Sequence, residues 1–333
     1  MFLVLLSVLL SYFFRFHCAS FVLLLCNLVP HCLFAKNCLW LLCFIWCNII
    51  TIVSIPFYNF MINIGPAHPS THGVLRIISC FNAEIIEYSY TEVGLLHRGT
   101  EKCIESLGTY YSTMSYFDRL DYVSVVAQEL LFVASVEKYI NCFVALYESF
   151  IRVLLVELFR VLNHCLAITT HAIDIGLFTT MLWFFEEREK IYCLLELLIG
   201  SRFHLAFLYI GRNRYDVSLV FIESLFFWLL NFVRRLIELF GLLSINSIWI
   251  KRLFEIGIIE RNTVLFFGLS GLIIRACGIL LDFRLFGYET YASIPFNSYI
   301  SFISDCMDRY LLRFNEFIES SRLIYTCLRC LLE

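Results

Sequence analysis

The distribution of charge along the chain limits its possible folds more than any other feature. The first 75 residues contain only two charged side chains, Arg15 and Lys36. The uncharged runs at 16–35 and 37–75 are at least as long as the roughly 20 residues that a helix needs to span a bilayer. From Arg76 onward the longest run without Asp, Glu, Lys or Arg is 290–304, and Pro295 interrupts it. The pattern predicts an apolar leader over 1–60 and a body without a spanning helix.

The leader is compatible with three interpretations. Its best spanning candidate is 38–57, "CLWLLCFIWCNIITIVSIPF". This segment could be a signal anchor, one or two membrane helices, or translated sequence that the mature protein lacks. The residues alone favour none of the three.

Composition excludes one class of partner and argues against a metal site. The net charge of -3 provides no basic surface for nucleic acid. The 15 cysteines lack the spacing of a metal cluster, because the CxxC at Cys327 and Cys330 has no second pair. We expect no metal bound by this chain and interpret the cysteines as small apolar side chains.

The hydrophobic pattern predicts an α+β protein. Residues 62–92 alternate and are rich in β-branched side chains, with "FNAE" as a turn, so a hairpin or small sheet is expected. Beyond Asp121 the pattern predicts a mainly helical bundle, interrupted by glycine at 200, 211 and 241. The predicted parts are the leader 1–60, a β element with a site loop at 61–120, and the bundle 121–333. The long helices are predicted at about 121–146, 149–173, 177–199, 216–241 and 304–331.

One predicted helix carries a polar stripe. Its members are Glu157, Arg160, His164, His171 and Asp174, which fall on one face at about 100° per residue. The surrounding sequence is apolar, so the stripe either faces water, forms a salt-bridge ladder or lines a buried polar site. If it is buried, its charges must be paired.

Three polar clusters precede the long helices. The loop "GPAHPSTHG" at 65–73 holds His68 and His72, which either share a cavity or include one histidine that only caps the loop. The second, "GLLHRGTEK" at 94–102, contains Arg98. The third, "YFDRLDYVS" at 116–124, contains Tyr122. Proline and glycine give the first cluster a defined turn.

These clusters, followed in order by "LNHCLAITTHAIDIG", "FFEEREK" and "GSRFH", closely resemble the quinone-site subunit of the peripheral arm of respiratory complex I, numbered 7 in organellar genomes. The resemblance covers 62 to about 331. That family is similar to the large subunit of nickel-iron hydrogenases without the nickel-binding cysteines. The resemblance therefore implies a hydrogenase-large-subunit-like fold and ubiquinone as substrate. It also implies a 4Fe-4S cluster that a neighbouring hydrogenase-small-subunit-like subunit ligates, with no cofactor bound covalently here.

The resemblance also implies roles for single residues. His72 matches the loop histidine that faces one quinone carbonyl, Tyr122 the tyrosine that donates a hydrogen bond to the other, and Asp174 the carboxylate that pairs with the loop histidine. Cofactor-binding positions are implied for His68 in the quinone loop, for Arg98 against the cluster, and for His204, whose protonation is linked to cluster reduction. Arg275, Asp282 and Arg284 match buried ion-pair members, while Glu186, Glu187 and Arg188 match a structural or proton-relay network.

The implied activity is NADH:ubiquinone oxidoreduction coupled to proton pumping, in the matrix-side peripheral arm at the mitochondrial inner membrane. Other peripheral-arm and membrane-arm subunits are the implied partners. Family members usually continue past the helix that ends here at Glu333, and this difference keeps a non-catalytic assembly or scaffold relative as an alternative. A polytopic membrane carrier, suggested by the mean hydropathy of +0.79, fits poorly with the charge spacing after Arg76.

Overall fold

The computed structural model describes residues 60–68, 74–83 and 85–333. The predicted spanning segment 38–57 and the loop histidine His72 lie outside these ranges, so both remain predictions. Within the described residues, no helix combines the length and the apolarity needed to cross a membrane. The described residues form two compact units, one of 60–63 with 77–91 and one of 64–76 with 92–333.

A three-stranded sheet confirms the predicted β element. The strands are β1 Phe60–Ile64, β2 Arg76–Asn82 and β3 Ile85–Glu92, in the order β1-β2-β3. The predicted turn between β2 and β3 includes Ala83, which has a φ of 55°. The rings of Phe60 and Phe81 stack at 5.5 Å between centroids.

The second unit is mainly helical, and four of its five long helices begin and end within three residues of the predicted positions. The helix predicted at 121–146 is shorter, because it spans Val125–Ile140. A two-stranded antiparallel ladder pairs β4 Leu208–Tyr209 with β5 Arg212–Asn213. Two single turns of 3-10 helix lie at Phe283–Phe286 and Glu289–Ala292. The α-helices are α1 Thr100–Ser106, α2 Tyr110–Phe117, α3 Val125–Ile140, α4 Leu146–Ile175, α5 Thr179–Ile199, α6 Leu219–Ser244, α7 Ser247–Leu253, α8 Arg261–Phe266, α9 Leu272–Ala276 and α10 Cys306–Leu332.

One predicted interruption is wrong. Gly241 lies inside α6, which continues to Ser244. A glycine inside a helix costs about 1 kcal/mol relative to alanine. The buried side chains of Leu239 and Leu243 flank Gly241, and their packing offsets this local preference. By contrast, Gly200 ends α5 with a φ of 82°, as predicted.

The core forms around α4, which packs most extensively against α10 and α5. Apolar residues of α4 are buried around its circumference, including Leu154, Leu155 and Leu158. A helix that is apolar on all sides belongs in the interior of a protein. Because α4 also carries the polar stripe, its position places several charged side chains inside the core and Asp174 at its C-terminal end.

Candidate functional site

The C-terminal end of α4 carries Asp174, and His68 lies against it. Nε2 of His68 is 3.7 Å from Oδ1 of Asp174, within ion-pair range. The helix ends one residue later because Gly176 follows with a φ of 98°, a conformation that favours glycine. The structure thus brings two of the predicted site residues together.

Tyr122 lies in the turn between α2 and α3, and Asp121 shapes this turn. Oδ1 of Asp121 accepts a hydrogen bond from the N–H of Val123 at 3.2 Å. The backbone oxygen of Asp121 accepts one from the N–H of Ser124, also at 3.2 Å. This Asx turn delays the start of α3, which was predicted from 121 and begins at Val125. Tyr122 is 42% exposed in the described chain, so part of its side chain lies at the surface of this unit.

His204 and Arg98 are exposed residues in two separate segments. His204 belongs to the segment that joins α5 to β4, and the N–H of Ala206 in the same segment donates to Oδ2 of Asp118 at 2.9 Å. Arg98 immediately precedes Gly99, which caps α1 with a φ of 65°. Both side chains therefore extend from backbone that is held locally, and they are exposed to whatever packs on this unit.

Glu157 on α4 is the centre of a buried polar network. It is fully buried and lies 3.2 Å from Nε of Arg160 and 3.5 Å from Nη1 of Arg284. The hydroxyl of Tyr291 donates to Oε1 at 2.5 Å, and that of Ser320 donates to Oε2 at 2.7 Å. Burial alone raises the pKa of a carboxyl, but the two guanidinium groups and two hydroxyls hold the pKa of Glu157 below its usual value. The carboxylate is therefore charged and fully paired.

Glu316 on α10 extends this network. It accepts a hydrogen bond from His164 at 2.7 Å and forms a buried ion pair with Arg275. Despite its burial, these two partners hold the pKa of Glu316 well below its usual range. Arg284 also pairs with Asp282 at 2.8 Å. The structure confirms the predicted buried ion pairs of Arg275, Asp282 and Arg284, and it places the first part of the stripe in a buried polar site.

A second buried ion cluster was not predicted from the sequence. Arg152 on α4 donates to both carboxylate oxygens of Glu137 at 2.7 and 2.8 Å and to Glu289 at 3.0 Å. It also donates to the backbone oxygen of Tyr209 at 3.1 Å. Glu137 in turn accepts a hydrogen bond from the N–H of Gly211 at 2.6 Å. This cluster fixes the β4–β5 turn on α3 and α4.

The motif "FFEEREK" lies on α5 and makes mostly local contacts. Lys190 pairs with Glu186 at 2.8 Å and with Glu187 at 2.7 Å. Arg188 donates to the backbone oxygen of Leu162 on α4 at 2.8 Å. The Arg188 contact joins α5 to α4, and together with the pairs of Lys190 it favours the structural alternative for this motif.

The cysteines lead to a reactivity prediction. Cys165 and Cys327 are fully buried; burial raises the pKa of the Cys165 thiol well above its usual range and that of Cys327 to about 12. Since the thiolate is the reactive form, we expect both to resist iodoacetamide in the native protein at neutral pH. Peptide mass spectrometry before and after denaturation measures this, with the exposed Cys193 as the comparison. Labelling of Cys165 at the rate of Cys193 in the native state would contradict the prediction.

The described residues contain no group of three His, Cys, Asp or Glu side chains arranged to hold a metal ion.

Comparison with known proteins identifies one family. A family model described as respiratory-chain NADH dehydrogenase, 49 kDa subunit, matches residues 174–333. The NADH-ubiquinone oxidoreductase 49 kDa subunit of Acanthamoeba castellanii is 44% identical over 271 residues, which cover 81% of this chain and 67% of that protein. The NADH dehydrogenase [ubiquinone] iron-sulfur protein 2 of Arabidopsis thaliana is 42% identical, covering 81% and 68%.

A third relative has the same extent of similarity. It is an NADH-quinone oxidoreductase subunit of Orientia tsutsugamushi (strain Boryong), 42% identical over 272 residues, which cover 81% of this chain and 68% of the relative. Identity at this level over two thirds of each relative shows common descent and a shared fold. The chain therefore belongs to the family of the 49 kDa subunit of respiratory-chain NADH dehydrogenase.

Proposed function

We propose that this chain is the quinone-reducing subunit of mitochondrial NADH:ubiquinone oxidoreductase and is catalytic only within that complex. Its family membership carries the proposal, because the relatives are named as subunits of NADH-ubiquinone and NADH-quinone oxidoreductases. A terminal 4Fe-4S cluster held by a hydrogenase-small-subunit-like neighbour would supply the electrons for ubiquinone. Reduction of the quinone to the quinol consumes two electrons and two protons.

His72 and Tyr122 supply the groups that face the two quinone oxygens. An imidazole titrates near neutral pH and a phenol is a hydrogen-bond donor, so each can transfer a proton to a quinone oxygen as negative charge develops there. Asp174 orients His72 of the loop and stabilises its protonated form. The 3.7 Å contact between His68 and Asp174 supports this role, because it brings the glycine-proline loop to the end of α4.

Three further residues act near the cofactors. Arg98 lies against the cluster of the neighbouring subunit, where its positive charge stabilises the reduced form. The protonation of His204 is linked to the reduction of that cluster. His68 forms part of the quinone loop. The exposure of Arg98 and His204 in the described chain fits residues that meet a partner subunit.

The proposed architecture follows the hydrogenase large subunit, with a leader over 1–60, a β element and quinone loop over 61–120, and the bundle over 121–333. We place the chain in the matrix-side peripheral arm at the mitochondrial inner membrane, among the other peripheral-arm and membrane-arm subunits. Quinone reduction at this site releases the free energy that the membrane subunits use to pump protons.

Changing Asp174 to asparagine tests the site. Asparagine keeps the size of the side chain and removes the charge that orients and stabilises the loop histidine. We expect NADH:ubiquinone turnover to fall by about tenfold, equivalent to about 1.4 kcal/mol of activation free energy, while electron transfer from NADH to ferricyanide upstream of the quinone site stays unchanged. Both rates are measured in membranes that carry the assembled complex.

The control is Glu238→Gln, which removes the charge of a half-exposed carboxylate paired with Arg235 on α6. An exposed pair contributes little to stability, and we expect wild-type turnover. If Asp174→Asn also keeps wild-type quinone turnover in fully assembled complex, the proposed role of Asp174 is wrong. If the wild-type chain is absent from a complex that reduces quinone, a scaffold role replaces the proposal.

A further inference from the structure

Two buried carboxyl groups lie between the turn that holds Tyr122 and the segment that holds His204. Asp118 directly follows α2 and Glu129 lies on α3; their exposed fractions are 1% and 0%. Oδ2 of Asp118 accepts a hydrogen bond from the N–H of Ala206 at 2.9 Å. Oε2 of Glu129 accepts hydrogen bonds from the N–H groups of Phe207 at 2.9 Å and Leu208 at 2.8 Å. Three consecutive backbone N–H groups therefore donate hydrogen bonds to these two carboxyl groups.

The two carboxyl groups are within reach of each other, because the side chains of Asp118 and Glu129 interact directly. Oδ1 of Asp118 and Oε1 of Glu129 are buried and accept no hydrogen bond from a fixed donor in the described chain. Two ionised carboxylates in this position would repel each other in a medium of low dielectric constant. One proton on Oε1 of Glu129 removes the repulsion and provides a donor for Oδ1 of Asp118. Burial and the charge of Asp118 raise the pKa of Glu129 well above its usual value, so this proton is retained.

No cation of the described chain forms an ion pair with either acid. The charged groups on the elements that pack against Asp118 and Glu129 have other partners. Arg152 of α4 binds Glu137, and Arg202 after α5 binds Glu189. Arg119 donates to a backbone oxygen of α2, and the exposed His204 is the remaining titratable group of the 201–208 segment. Asp118 is therefore the charged group that acts on Glu129 most directly.

The backbone that the acids hold is strained. Ala206 has a φ of 44°, in the left-handed region that non-glycine residues rarely adopt. Such a conformation persists only where surrounding contacts enforce it, and the three hydrogen bonds to Asp118 and Glu129 are contacts of that kind. His204 precedes Ala206 by two residues, and Tyr122 follows Asp118 by four. The acids thus join the two segments in one rigid arrangement.

We propose that Asp118 and Glu129 are positioning residues that share one proton and hold the His204 segment in register with the Tyr122 turn during quinone reduction. This inference deepens the proposed function and rests on it for the roles of His204 and Tyr122. The clamp itself depends only on the hydrogen bonds described above. Loss of the shared proton leaves two facing carboxylates, which loosens the 206–208 backbone.

Single and double amide substitutions test the shared proton. In Glu129→Gln the amide oxygen accepts from the 207 and 208 amides while its NH2 group donates to Asp118, so the variant mimics the protonated pair. In Asp118→Asn the asparagine NH2 group donates to an ionised Glu129. The double variant places two NH2 groups face to face with no acceptor between them. We expect each single variant to keep turnover within about twofold and the double variant to lose about tenfold or more.

The measurements are NADH:ubiquinone turnover of the assembled complex across neutral and alkaline pH, and hydrogen exchange of the peptide that contains 203–210. Because the folded pKa of Glu129 is raised, the clamp is intact at low pH and is lost as the pH rises through that pKa. We therefore expect wild-type turnover to fall as the pH rises through that pKa and Glu129→Gln to keep its activity at higher pH than wild type. Exchange at the 206–208 amides should be faster in the double variant.

Two results would overturn the inference: a double variant no worse than the single variants, or identical pH profiles for wild type and Glu129→Gln. If the double variant fails to assemble, the pH profile of Glu129→Gln decides alone. Failure of the proposed function is a different result, because Tyr122→Phe would then keep its quinone turnover. Exchange at 206–208 would still report the clamp in that case.

Discussion

Replacing Tyr122 with phenylalanine is expected to lower NADH:ubiquinone turnover about a hundredfold, because a positioned general acid contributes about 10²- to 10⁴-fold to a rate. The change removes one hydroxyl from a side chain that is 42% exposed in the described chain. A surface change of this kind alters stability by less than about 0.5 kcal/mol. The amount of assembled complex and the NADH:ferricyanide rate should therefore stay at the wild-type level.

Tyr139→Phe is the matched control for this substitution. Tyr139 lies near the end of α3, and its side chain is 86% exposed. It loses the same hydroxyl at a place without a proposed catalytic role, so quinone turnover should not change. Equal turnover in Tyr122→Phe, Tyr139→Phe and wild type would show that Tyr122 donates no proton that limits the rate. The quinone would then take its second proton from water or from another residue.

The sequence predicts the helices of this chain well because their signal is local. Apolar periodicity defines α4, α5 and α10 to within a few residues, and Gly200 ends α5 as expected. The two errors have different causes. A glycine signal at Gly241 was overridden by the packing of its neighbours, and the Asx turn at Asp121 was interpreted as the first turn of α3.

The buried charges could be predicted only in part. Glu157 was visible as a charge within an apolar helix, and the resemblance indicated Arg284 as a buried ion-pair member. The pairing of Arg152 with Glu289 joins residues 137 positions apart. The hydrophobic periodicity of a single helix cannot indicate so distant a partner. Glu129 carried a usable signal, since it lies on the buried face of α3 beside Leu130. A glutamate on an apolar face predicts a buried acid but does not identify its partner.

These buried charges explain how an unusually apolar chain keeps a single arrangement of its helices. Apolar contacts between helices tolerate small shifts, whereas a buried carboxylate must keep its partners. Arg152 joins α4 to α3, and Glu316 of α10 joins His164 of α4 to Arg275 of α9. The positions of Asp174 and of the Tyr122 turn depend on these helices, so the networks contribute to the geometry of the proposed site.

Glu157→Ala is expected to cause the largest loss of stability. It leaves Arg160 and Arg284 without their central carboxylate in the core, and removing one partner of a buried pair costs about 3–5 kcal/mol. For a chain of this size that corresponds to a fall of about 10 °C in the temperature of inactivation. Native gels of membranes heated in steps, stained for NADH oxidation and probed for this chain, measure the shift.

Glu157→Gln separates charge from shape in the same network. The amide oxygen can still accept a hydrogen bond from one of the two hydroxyls, and its NH2 group can donate to the other. The amide no longer neutralises the two guanidinium groups, so we expect a loss between wild type and Glu157→Ala. Because the folded pKa of Glu157 lies below the ordinary value of 4.5, its contribution is complete above that value and is lost as the pH falls through the folded pKa. Acid should therefore destabilise wild type more than Glu157→Gln.

The control Glu186→Gln changes a carboxylate that is 48% exposed, and its expected cost is below about 1 kcal/mol. Equal inactivation temperatures for Glu157→Ala and Glu186→Gln would mean that the buried network does not stabilise this helical unit.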